Sequence, residues 1–234
     1  MRRTPRALSF DLDDTLWDCD EVIERAERRV YDWLAAHYPR IAAEFDLEAM
    51  RGIRKEAAER DPRLTTDLSE LRRVTLAWHA QRAEYDPGLA EVGLEVFLAE
   101  RNRVTLFTDV LPVLQALGRR YPLVALTNGN ADLARIGLDH LFTLSLSAVD
   151  VGAAKPDPAM FRAVCEALEI RAGDLLHVGD DPVRDVHAAR RFGARTVWVN
   201  RTASGWPEDL PRAHHEIETF AALHELLEDS GDGA

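Results

Sequence analysis

Two patterns of hydrophobic positions divide this chain. Residues Ala7–Phe10 form a short, mostly apolar run, which is typical of a buried strand. Between residues 18 and 103 the apolar positions recur every three or four residues, which predicts amphipathic helices. Four helices are predicted in this block: one that Pro39 ends, one over Leu47–Arg60, one through Leu68 and Trp78, and one from Leu89 to Ala99.

Beyond residue 103, short apolar runs alternate with helical patterns. Further strands are predicted over Leu123–Leu126, Leu144–Val149, Leu175–Val178 and Thr196–Val199. Helices are predicted after Asp109, around Asp132–Gly137, after Asp157, after Pro182, and from Phe220 to Leu227, with Asp109 and Asp157 as helix caps. Strands that alternate with helices indicate a parallel sheet covered on both faces.

The two patterns together predict the domain organisation. We expect an α/β core, a doubly wound (Rossmann-like) parallel sheet, built from residues 1–17 and 104–234. An all-helical domain is inserted at residues 18–103, directly after the first strand. Doubly wound sheets bind ligands at the carboxyl ends of their strands, so polar residues at those ends are the first functional candidates. The last residues, 229–234, are expected to fray.

Composition narrows the possible partners. The chain has 234 residues, 46% of them hydrophobic and 30% charged, as in an ordinary globular protein. Its formal net charge of −12 argues against binding to nucleic acid or to an anionic membrane. Its two cysteines give no disulfide framework, and no apolar run has the length of a signal peptide core or a membrane span. We expect a cytoplasmic protein; the sequence predicts no oligomeric state.

Unusual polar residues follow the predicted strands. Asp11 and Asp13 lie two positions apart, so in extended backbone both face one side. Crowding two carboxylates is costly unless a cation or a substrate requires them. The other candidates at strand ends are Thr127 and Asn128, then Lys155, and finally Asp180, Asp181 and Asp185.

Each candidate also has an ordinary structural interpretation. Thr127 could simply end a strand, and Lys155 could be a solvated loop lysine. Asp181 precedes Pro182 and is equally well placed as a helix N-cap. Asp185 could be an acid on a helix surface. Trp17 is expected to pack in the core, although it could contact a substrate ring, and His177 is expected to be packed or hydrogen-bonded.

Other basic and histidine residues are expected to be unremarkable. The arginines of the helical block, including Arg51, Arg54 and Arg72, are expected mostly on solvated helix faces, with one or two available to an anionic substrate. His214 and His215 are expected in a polar loop.

Four motifs in chain order resemble the haloacid dehalogenase-like hydrolase superfamily, and within it the phosphatases with a helical cap. The motifs are Asp11-Leu12-Asp13-Asp14-Thr15, Leu126-Thr127-Asn128-Gly129, Lys155-Pro156-Asp157-Pro158 and Val178-Gly179-Asp180-Asp181, the last followed by Asp185. The resemblance covers nearly the whole chain. The closest likeness is to flavin mononucleotide phosphatases, which also act on the phosphoribitylamino-pyrimidine precursor of riboflavin, but only core motifs carry it.

The resemblance implies a role for each matching residue. Asp11 would be the nucleophile that forms an aspartyl-phosphate, and Asp13 the general acid and base. Mg²⁺ would be held by the carboxylates of Asp11 and Asp180 and by the main-chain carbonyl of Asp13.

The remaining matched residues would act around the phosphoryl group. Thr127 and the main-chain N–H of Asn128 would hold its oxygens, and Lys155 would neutralise charge. Asp181 and Asp185 would lie in an outer shell, where Asp185 orients metal-bound water.

The implied reaction is Mg²⁺-dependent hydrolysis of a small phosphorylated metabolite, and three other functions compete with it. A hydrolytic dehalogenase of the family would lack Asp13 and the acidic pair Asp180 and Asp185, which argues against that reaction here. A sugar phosphomutase would share every core motif. A phospho-acceptor signalling module would also use paired acids, a hydroxyl and a lysine, but it would carry no inserted helical block.

Overall fold

The computed structural model describes residues 4–228, and the predicted frayed tail lies outside them. The chain forms two compact units. The α/β unit comprises Met1–Asp18, Thr105–Gly129 and Leu133–Ala234. The helical unit comprises Cys19–Val104 together with Asn130–Asp132. No helix among the described residues is long and apolar enough to cross a membrane.

The helical unit contains five α-helices among its described residues. They are α1 (Cys19–His37), α2 (Pro39–Glu44), α3 (Leu47–Arg60), α4 (Leu68–Arg82) and α5 (Leu89–Arg101). Four were predicted, and α2 was missed because Pro39 does more than end α1: as the first residue of α2 it needs no N–H partner. The carboxylates of Asp46 and Asp67 cap α3 and α4 by accepting main-chain N–H groups.

An apolar core holds these five helices together. Ala26, Leu34, Ile41, Leu76 and Phe97 are almost completely buried in it. Helix α1 packs along α5, which also contacts α4. The expectation of solvated arginines fails at two positions, because Arg72 of α4 and Arg101 of α5 are only 8% and 1% exposed.

The α/β unit contains a six-stranded parallel sheet, which confirms the predicted fold class. Its strands are β1 (Ala7–Phe10), β2 (Leu123–Thr127), β3 (Leu144–Ser147), β4 (Leu175–Gly179), β5 (Arg195–Val199) and β6 (His215–Ile217). The strand order is β3-β2-β1-β4-β5-β6. Strand β1 is central, and Phe10 is in register with Ala125 on one side and Val178 on the other. Every residue of β1, β2 and β4 is buried, as expected of a sheet covered on both faces.

Helices cover the sheet. They are α6 (Val110–Leu117), α7 (Leu133–Ile136), α8 (Ala148–Val151), α9 (Ala159–Ala167), α10 (Ala188–Phe192) and α11 (Phe220–Glu228), and a π-helical turn, Pro182–His187, precedes α10. Met160, Phe161 and Val164 of α9 pack against β2 and β4. Phe10 of β1 stacks on Phe220 of α11, with ring centroids 5.9 Å apart.

Several element boundaries in the α/β unit differ from the prediction, most of them by one residue, and three differences have a structural consequence. Strand β3 ends at Ser147, two residues early, because Ser147 and Asp150 form a capping box that begins α8. His215, expected in a loop, begins the edge strand β6. Helix α9 begins at Ala159, one residue later than expected, with its first N–H donated to the Asp157 carboxylate at 2.8 Å.

Asp109 does not cap α6 through its side chain, contrary to the prediction. Its carboxylate is instead bound to Arg201, with Oδ1 3.0 Å from Nη2, and accepts the main-chain N–H of Phe220 at 2.8 Å. The Asp109 carboxylate, predicted to cap its own helix, therefore forms a long-range ion pair and binds the N-terminus of α11 instead.

Candidate active site

The carboxyl ends of three strands place acidic and hydroxyl side chains at one edge of the sheet. Asp11 directly follows β1, Thr127 ends β2, and Asp180 directly follows β4. The main-chain N–H of Asp11 donates to the carbonyl of Val178 at 2.9 Å, which continues the β1–β4 pairing into the site. Carboxylate oxygens of Asp11, Asp180 and Asp185 lie within 4.8 Å of one another.

Lys155 lies between two of these acids. Its Nζ donates to Oδ1 of Asp11 at 2.5 Å and to Oδ1 of Asp185 at 2.6 Å. The lysine is only 4% exposed, which contradicts the alternative of a solvated loop lysine. Burial disfavours its ammonium group, but the two carboxylates outweigh burial and raise the pKa of Lys155 above its ordinary value.

Asp185 is buried at the centre of this arrangement and is therefore not a helix surface acid. Its Oδ1 is 3.1 Å from Nε2 of His177, and its Oδ2 accepts the main-chain N–H of Asp181 at 3.1 Å. Nδ1 of His177 lies 2.9 Å from the Ser9 hydroxyl, so His177 is hydrogen-bonded as expected. Burial opposes ionisation of Asp185, yet Lys155 and His177 prevail and hold the pKa of this carboxyl below its ordinary value.

The pKa values of the other two acids, Asp11 and Asp180, are raised instead. Burial raises the pKa of Asp11 well above its ordinary value; Lys155 opposes this effect, and the carboxylates of Asp185 and Asp180 add to it. Burial, with the charge of Asp185, also raises the pKa of Asp180 to about 7. Three carboxylates share one ammonium group, which leaves an excess of two negative charges when all are ionised.

That excess fits a divalent cation. The donor set consists of carboxylate oxygens, the ligands that Mg²⁺ prefers in proteins. Two hydrogen bonds fix the position of Asp180 as a possible ligand of the cation. The Thr15 hydroxyl donates to its Oδ1 at 3.1 Å, and the indole N–H of Trp198 donates to its main-chain carbonyl at 2.6 Å.

Gly179 makes room for Asp185. A Cβ atom at position 179 would lie 2.4 Å from Cγ of Asp185 and 2.6 Å from its Cβ, closer than unbonded atoms approach. Because hydrogen bonds to Lys155 and His177 hold the Asp185 carboxylate, it cannot move aside cheaply. The absence of a side chain at position 179 is therefore part of the site's geometry.

Asp13 is half-buried and is oriented by a tryptophan. The indole N–H of Trp17 donates to Oδ1 of Asp13 at 2.9 Å. Trp17 itself is completely buried, which confirms core packing and rules out contact between its ring and a substrate in this structure. The side-chain oxygens of Asp13 are not among those of the acidic cluster around Asp11.

Thr127 and Asn128 lie where the sequence predicted them, at the end of β2. The Thr127 hydroxyl accepts the main-chain N–H of Gly129 at 2.9 Å. The Asn128 amide forms two hydrogen bonds with the main chain of Lys155: its oxygen accepts the N–H at 2.7 Å, and its nitrogen donates to the carbonyl at 2.8 Å. Asn128 therefore fixes the backbone that carries Lys155.

Asp181 is a helix cap. Its Oδ1 accepts the main-chain N–H groups of Val183 and Arg184 at 2.7 and 2.8 Å. It does not belong to the acidic cluster of Asp11, Asp180 and Asp185. Of the two interpretations that the sequence left open, the observed hydrogen bonds match the cap.

Four residues contact the predicted site residues without having been predicted to do so. They are Thr15, Trp17, Trp198 and His177, and Ser9 in turn contacts His177. Thr15 and Trp17 lie inside or beside the first motif, so proximity in sequence offered a signal. Trp198 lies on β5, and only the strand order shows that β5 is adjacent to β4.

The profile of the haloacid dehalogenase-like hydrolase family matches residues 5–193. This chain belongs to that family. A relative, the 5-amino-6-(5-phospho-D-ribitylamino)uracil phosphatase YigB of Escherichia coli, is 32% identical and covers 94% of this chain and 95% of its own length. Phosphoserine phosphatase of Thermus thermophilus is 40% identical over 53% of this chain and 51% of its own.

A solved structure shows the same fold over almost the entire chain. The crystal structure of a 2-haloacid dehalogenase from Pseudomonas syringae is 36% identical, with a TM-score of 0.90. The match covers 97% of this chain and 99% of that one. The family is thus certain from sequence and fold, and the two named chemistries among its relatives are distinguished by the residues of the site.

Proposed function

We propose that this member of the family is a phosphoric monoester hydrolase, which uses Mg²⁺ and an aspartyl-phosphate intermediate to hydrolyse a small phosphorylated metabolite. The observation that carries the proposal is the cluster of Asp11, Asp180 and Asp185, in which buried Lys155 contacts the buried carboxylates of Asp11 and Asp185. An acidic cluster with two excess negative charges suits a divalent cation and, with it, a phosphate dianion. The named phosphatase relatives support the same reaction class.

In the first half-reaction an oxygen of Asp11 attacks phosphorus while the bond from phosphorus to the leaving oxygen breaks. Lys155, 2.5 Å from that carboxylate, balances charge on Asp11 and on the transferring group. Asp13 gives its proton to the leaving oxygen. The indole N–H of Trp17 donates to one oxygen of Asp13 and so fixes the direction of the Asp13 carboxyl group.

In the second half-reaction Asp13 removes a proton from water, which attacks phosphorus, and the bond between Asp11 and phosphorus breaks. Inorganic phosphate leaves, and Asp11 and Asp13 return to their starting states. Asp11, Asp180 and the main-chain carbonyl of Asp13 would hold Mg²⁺, which when bound supplies positive charge for the phosphoryl oxygens. Thr127 and the main-chain N–H of Asn128 would contact those oxygens from the end of β2.

For the substrate we propose flavin mononucleotide or the ribitylamino-pyrimidine phosphate that precedes riboflavin. The activity for which YigB is named, together with its coverage of nearly the whole chain, supports this choice over the shorter match to phosphoserine phosphatase. We place the reaction in the cytoplasm, as expected from the cysteine content. Sugar phosphomutase activity is the alternative that shares every core motif, whereas a phospho-acceptor module would carry no inserted helical block such as Cys19–Val104.

Hydrolytic dehalogenation is a second candidate because the Pseudomonas syringae structure with that name matches so closely. Dehalogenation also starts with attack by an aspartate, but on carbon, and it needs neither a cation nor a general acid for an alcohol leaving group. The second acid Asp13 and the cluster of Asp180 with Asp185 have no task in that reaction, so they favour phosphatase.

One experiment tests both candidates on the purified full chain. Phosphate release is measured from flavin mononucleotide, the riboflavin-precursor phosphate, phosphoserine and sugar phosphates, with Mg²⁺ and with chelator, and halide release from 2-chloropropionate is measured in parallel. We expect Mg²⁺-dependent phosphate release, fastest with the flavin-type substrates. Equal rates on all phosphates would contradict the proposed flavin-type substrate. Halide release without phosphate release would contradict the proposed phosphatase reaction.

A further inference from the structure

The helical unit contains a buried ion cluster in which positive charge is in excess. Glu27 of α1 is only 4% exposed, and its carboxylate accepts hydrogen bonds from Arg51 and Arg54 of α3. Arg72 of α4 approaches the same carboxylate at 3.5 Å, while its guanidinium stacks over the Phe97 ring. We call these four ionised residues, Glu27 with Arg51, Arg54 and Arg72, the Glu27 cluster.

The excess charge lies on the inner side of the Glu27 cluster. The side chain of Arg51 is 44% exposed, and the negative charges of Glu24 and Glu48 also attract it. The side chains of Arg54 and Arg72 are 20% and 9% exposed, so they face less water. Two inner guanidiniums therefore share one carboxylate, which leaves about one positive charge without a buried counterion.

A cavity opens against these inner arginines. It measures about 20 Å³, and its lining includes Glu27, Arg54, Arg72 and His79 beside the apolar side chains of Val30 and Met50. His79 is 1% exposed, and its Nδ1 has no hydrogen-bond partner among the described residues. A buried ring nitrogen without a partner costs free energy that a bound group would recover.

We propose that this cavity is a binding site for one monovalent anion of halide size, with chloride as the natural occupant. The cavity is small, about 20 Å³, so a compact monatomic anion suits it better than a carboxylate or a phosphate. A halide would accept N–H groups from Arg54, Arg72 and the neutral His79 ring together. Its weak hydration suits a wall that is partly apolar.

The electrostatics of the cluster favour an anion over a water molecule. Burial lowers the pKa of Arg72 to about 9, and the positive charge of Arg54 contributes because it disfavours a second positive charge nearby. Burial and Arg54 also lower the pKa of His79 to about 4, so its ring adds no charge at neutral pH. A bound anion relieves the repulsion between the two arginines, whereas neutral water does not.

The test uses the purified full chain in chloride-free buffer. Thermal unfolding is followed while sodium bromide or chloride replaces sodium gluconate at constant ionic strength, because gluconate exceeds the cavity. We expect Tm to rise with the logarithm of halide concentration, by roughly 3–6 °C at a tenfold excess over the dissociation constant. A crystal grown in bromide should show an anomalous peak beside Arg54 and Arg72. An ordered water without anomalous signal, or equal Tm in halide and gluconate, would overturn the proposal.

Variants sharpen the result. Arg54→Gln removes one of the two inner charges and should abolish the halide-dependent rise in Tm. Arg60→Gln, on the same helix with its side chain 79% exposed, should leave the rise unchanged. If Arg54→Gln does not fold, Glu27→Gln gives the converse test: it increases the positive excess and should lower the halide concentration at which Tm begins to rise. No change in that concentration would count against the site.

Discussion

Two buried ion clusters, one in each unit, have opposite imbalances. In the α/β unit, three clustered carboxylates, Asp11, Asp180 and Asp185, have a single ammonium, that of Lys155, which contacts two of them. In the helical unit, three guanidiniums surround the single carboxylate of Glu27. Both clusters are built on packed secondary structure, yet neither is neutral by itself.

The difference shows what each cluster can bind. Buried charges are costly unless partners compensate them, so the sign of the residual charge predicts the sign of the missing partner. The net negative charge of Asp11, Asp180, Asp185 and Lys155, called the α/β cluster here, suits a divalent cation. The net positive charge of the Glu27 cluster suits a monovalent anion. The two can therefore be tested against each other with cations, anions and matched substitutions.

The largest expected effect is on the α/β cluster. Lys155→Met leaves the acids without their ammonium group, and we expect kcat to fall by roughly 10³-fold because charge on the transferring group is no longer balanced. Unfolding free energy should fall by about 3–5 kcal/mol, and Mg²⁺ should restore part of it. Denaturant unfolding with and without Mg²⁺ measures both; an equal loss with and without the cation would contradict a cation site.

The matching change in the helical unit is Glu27→Gln. It leaves three guanidiniums without a carboxylate and should lower the unfolding free energy by about 3–5 kcal/mol, with no rescue by Mg²⁺. The control Glu56→Gln breaks only the exposed pair with Arg60 and should cost less than about 1 kcal/mol. Urea unfolding of both variants checks the difference; similar losses would mean that the Glu27 cluster carries no buried imbalance.

Gly179→Ala tests whether the position of Asp185 matters for turnover. The added methyl would overlap Asp185, displace it from Lys155, and lower kcat by about 10²-fold. Gly173→Ala is the matched control, because a Cβ there meets nothing within 4 Å. Steady-state kinetics on both variants decides the matter, and near-wild-type kcat in Gly179→Ala would show that Asp185 tolerates displacement.

The α/β cluster should also bind its cation in a pH-dependent manner. The raised pKa of Asp180, about 7, means that a proton and Mg²⁺ compete for this carboxylate near neutrality. Affinity for Mg²⁺ should be full above the raised pKa and weaken by about tenfold for each pH unit below it. Calorimetric Mg²⁺ titrations across this range measure the slope, and a flat profile would show that Asp180 is not a ligand.

A small effect is expected at two helix ends, one in each unit. Glu84 follows α4 and Glu169 follows α9, and both have left-handed φ angles, 59° and 51°, where glycine is usual. Both side chains are exposed. Glu84→Gly and Glu169→Gly should each raise the unfolding free energy by about 0.5–1 kcal/mol. Thermal unfolding checks this, and a loss of stability would mean that the glutamate side chains contribute more than the strain costs.

Much of the fold follows from local patterns. The bounds of β1 and α3 were predicted to the residue, because a short, mostly apolar run and a helical stripe are local signals. The edge strand β6 was missed because three residues, His-Glu-Ile, show no periodicity. Helix α2 was missed because one residue, Pro39, both ends a helix and begins another.

The candidate site was predictable for a different reason. Parallel strands bring their carboxyl ends to one edge, so Asp11, Thr127 and Asp180 had to lie near each other once the sheet was recognised. The partners of these residues were not predictable. The hydrogen bonds from Trp17 to Asp13 and from His177 to Asp185 depend on side-chain directions that no spacing specifies.

The Glu27 cluster shows the same limit more strongly. Arg51 and Arg54 are three apart on α3, and Arg72 lies on α4, so nothing in the sequence indicates that one buried glutamate joins them. Arginines on helices are usually solvated, and only packing of α1 against its neighbours shows otherwise for Arg72. Charge balance in a buried cluster is a tertiary property.

The central claim, that Asp11 is a phosphoryl acceptor in a cation-dependent site, is tested most directly by trapping the intermediate. The enzyme is mixed with flavin mononucleotide and Mg²⁺, quenched in acid within one turnover, digested, and analysed by mass spectrometry. The account predicts one added phosphoryl group on the peptide that contains Asp11, absent with chelator and absent in Asp11→Asn. Rapid phosphate release with an unmodified Asp11 peptide at every quench time would contradict it.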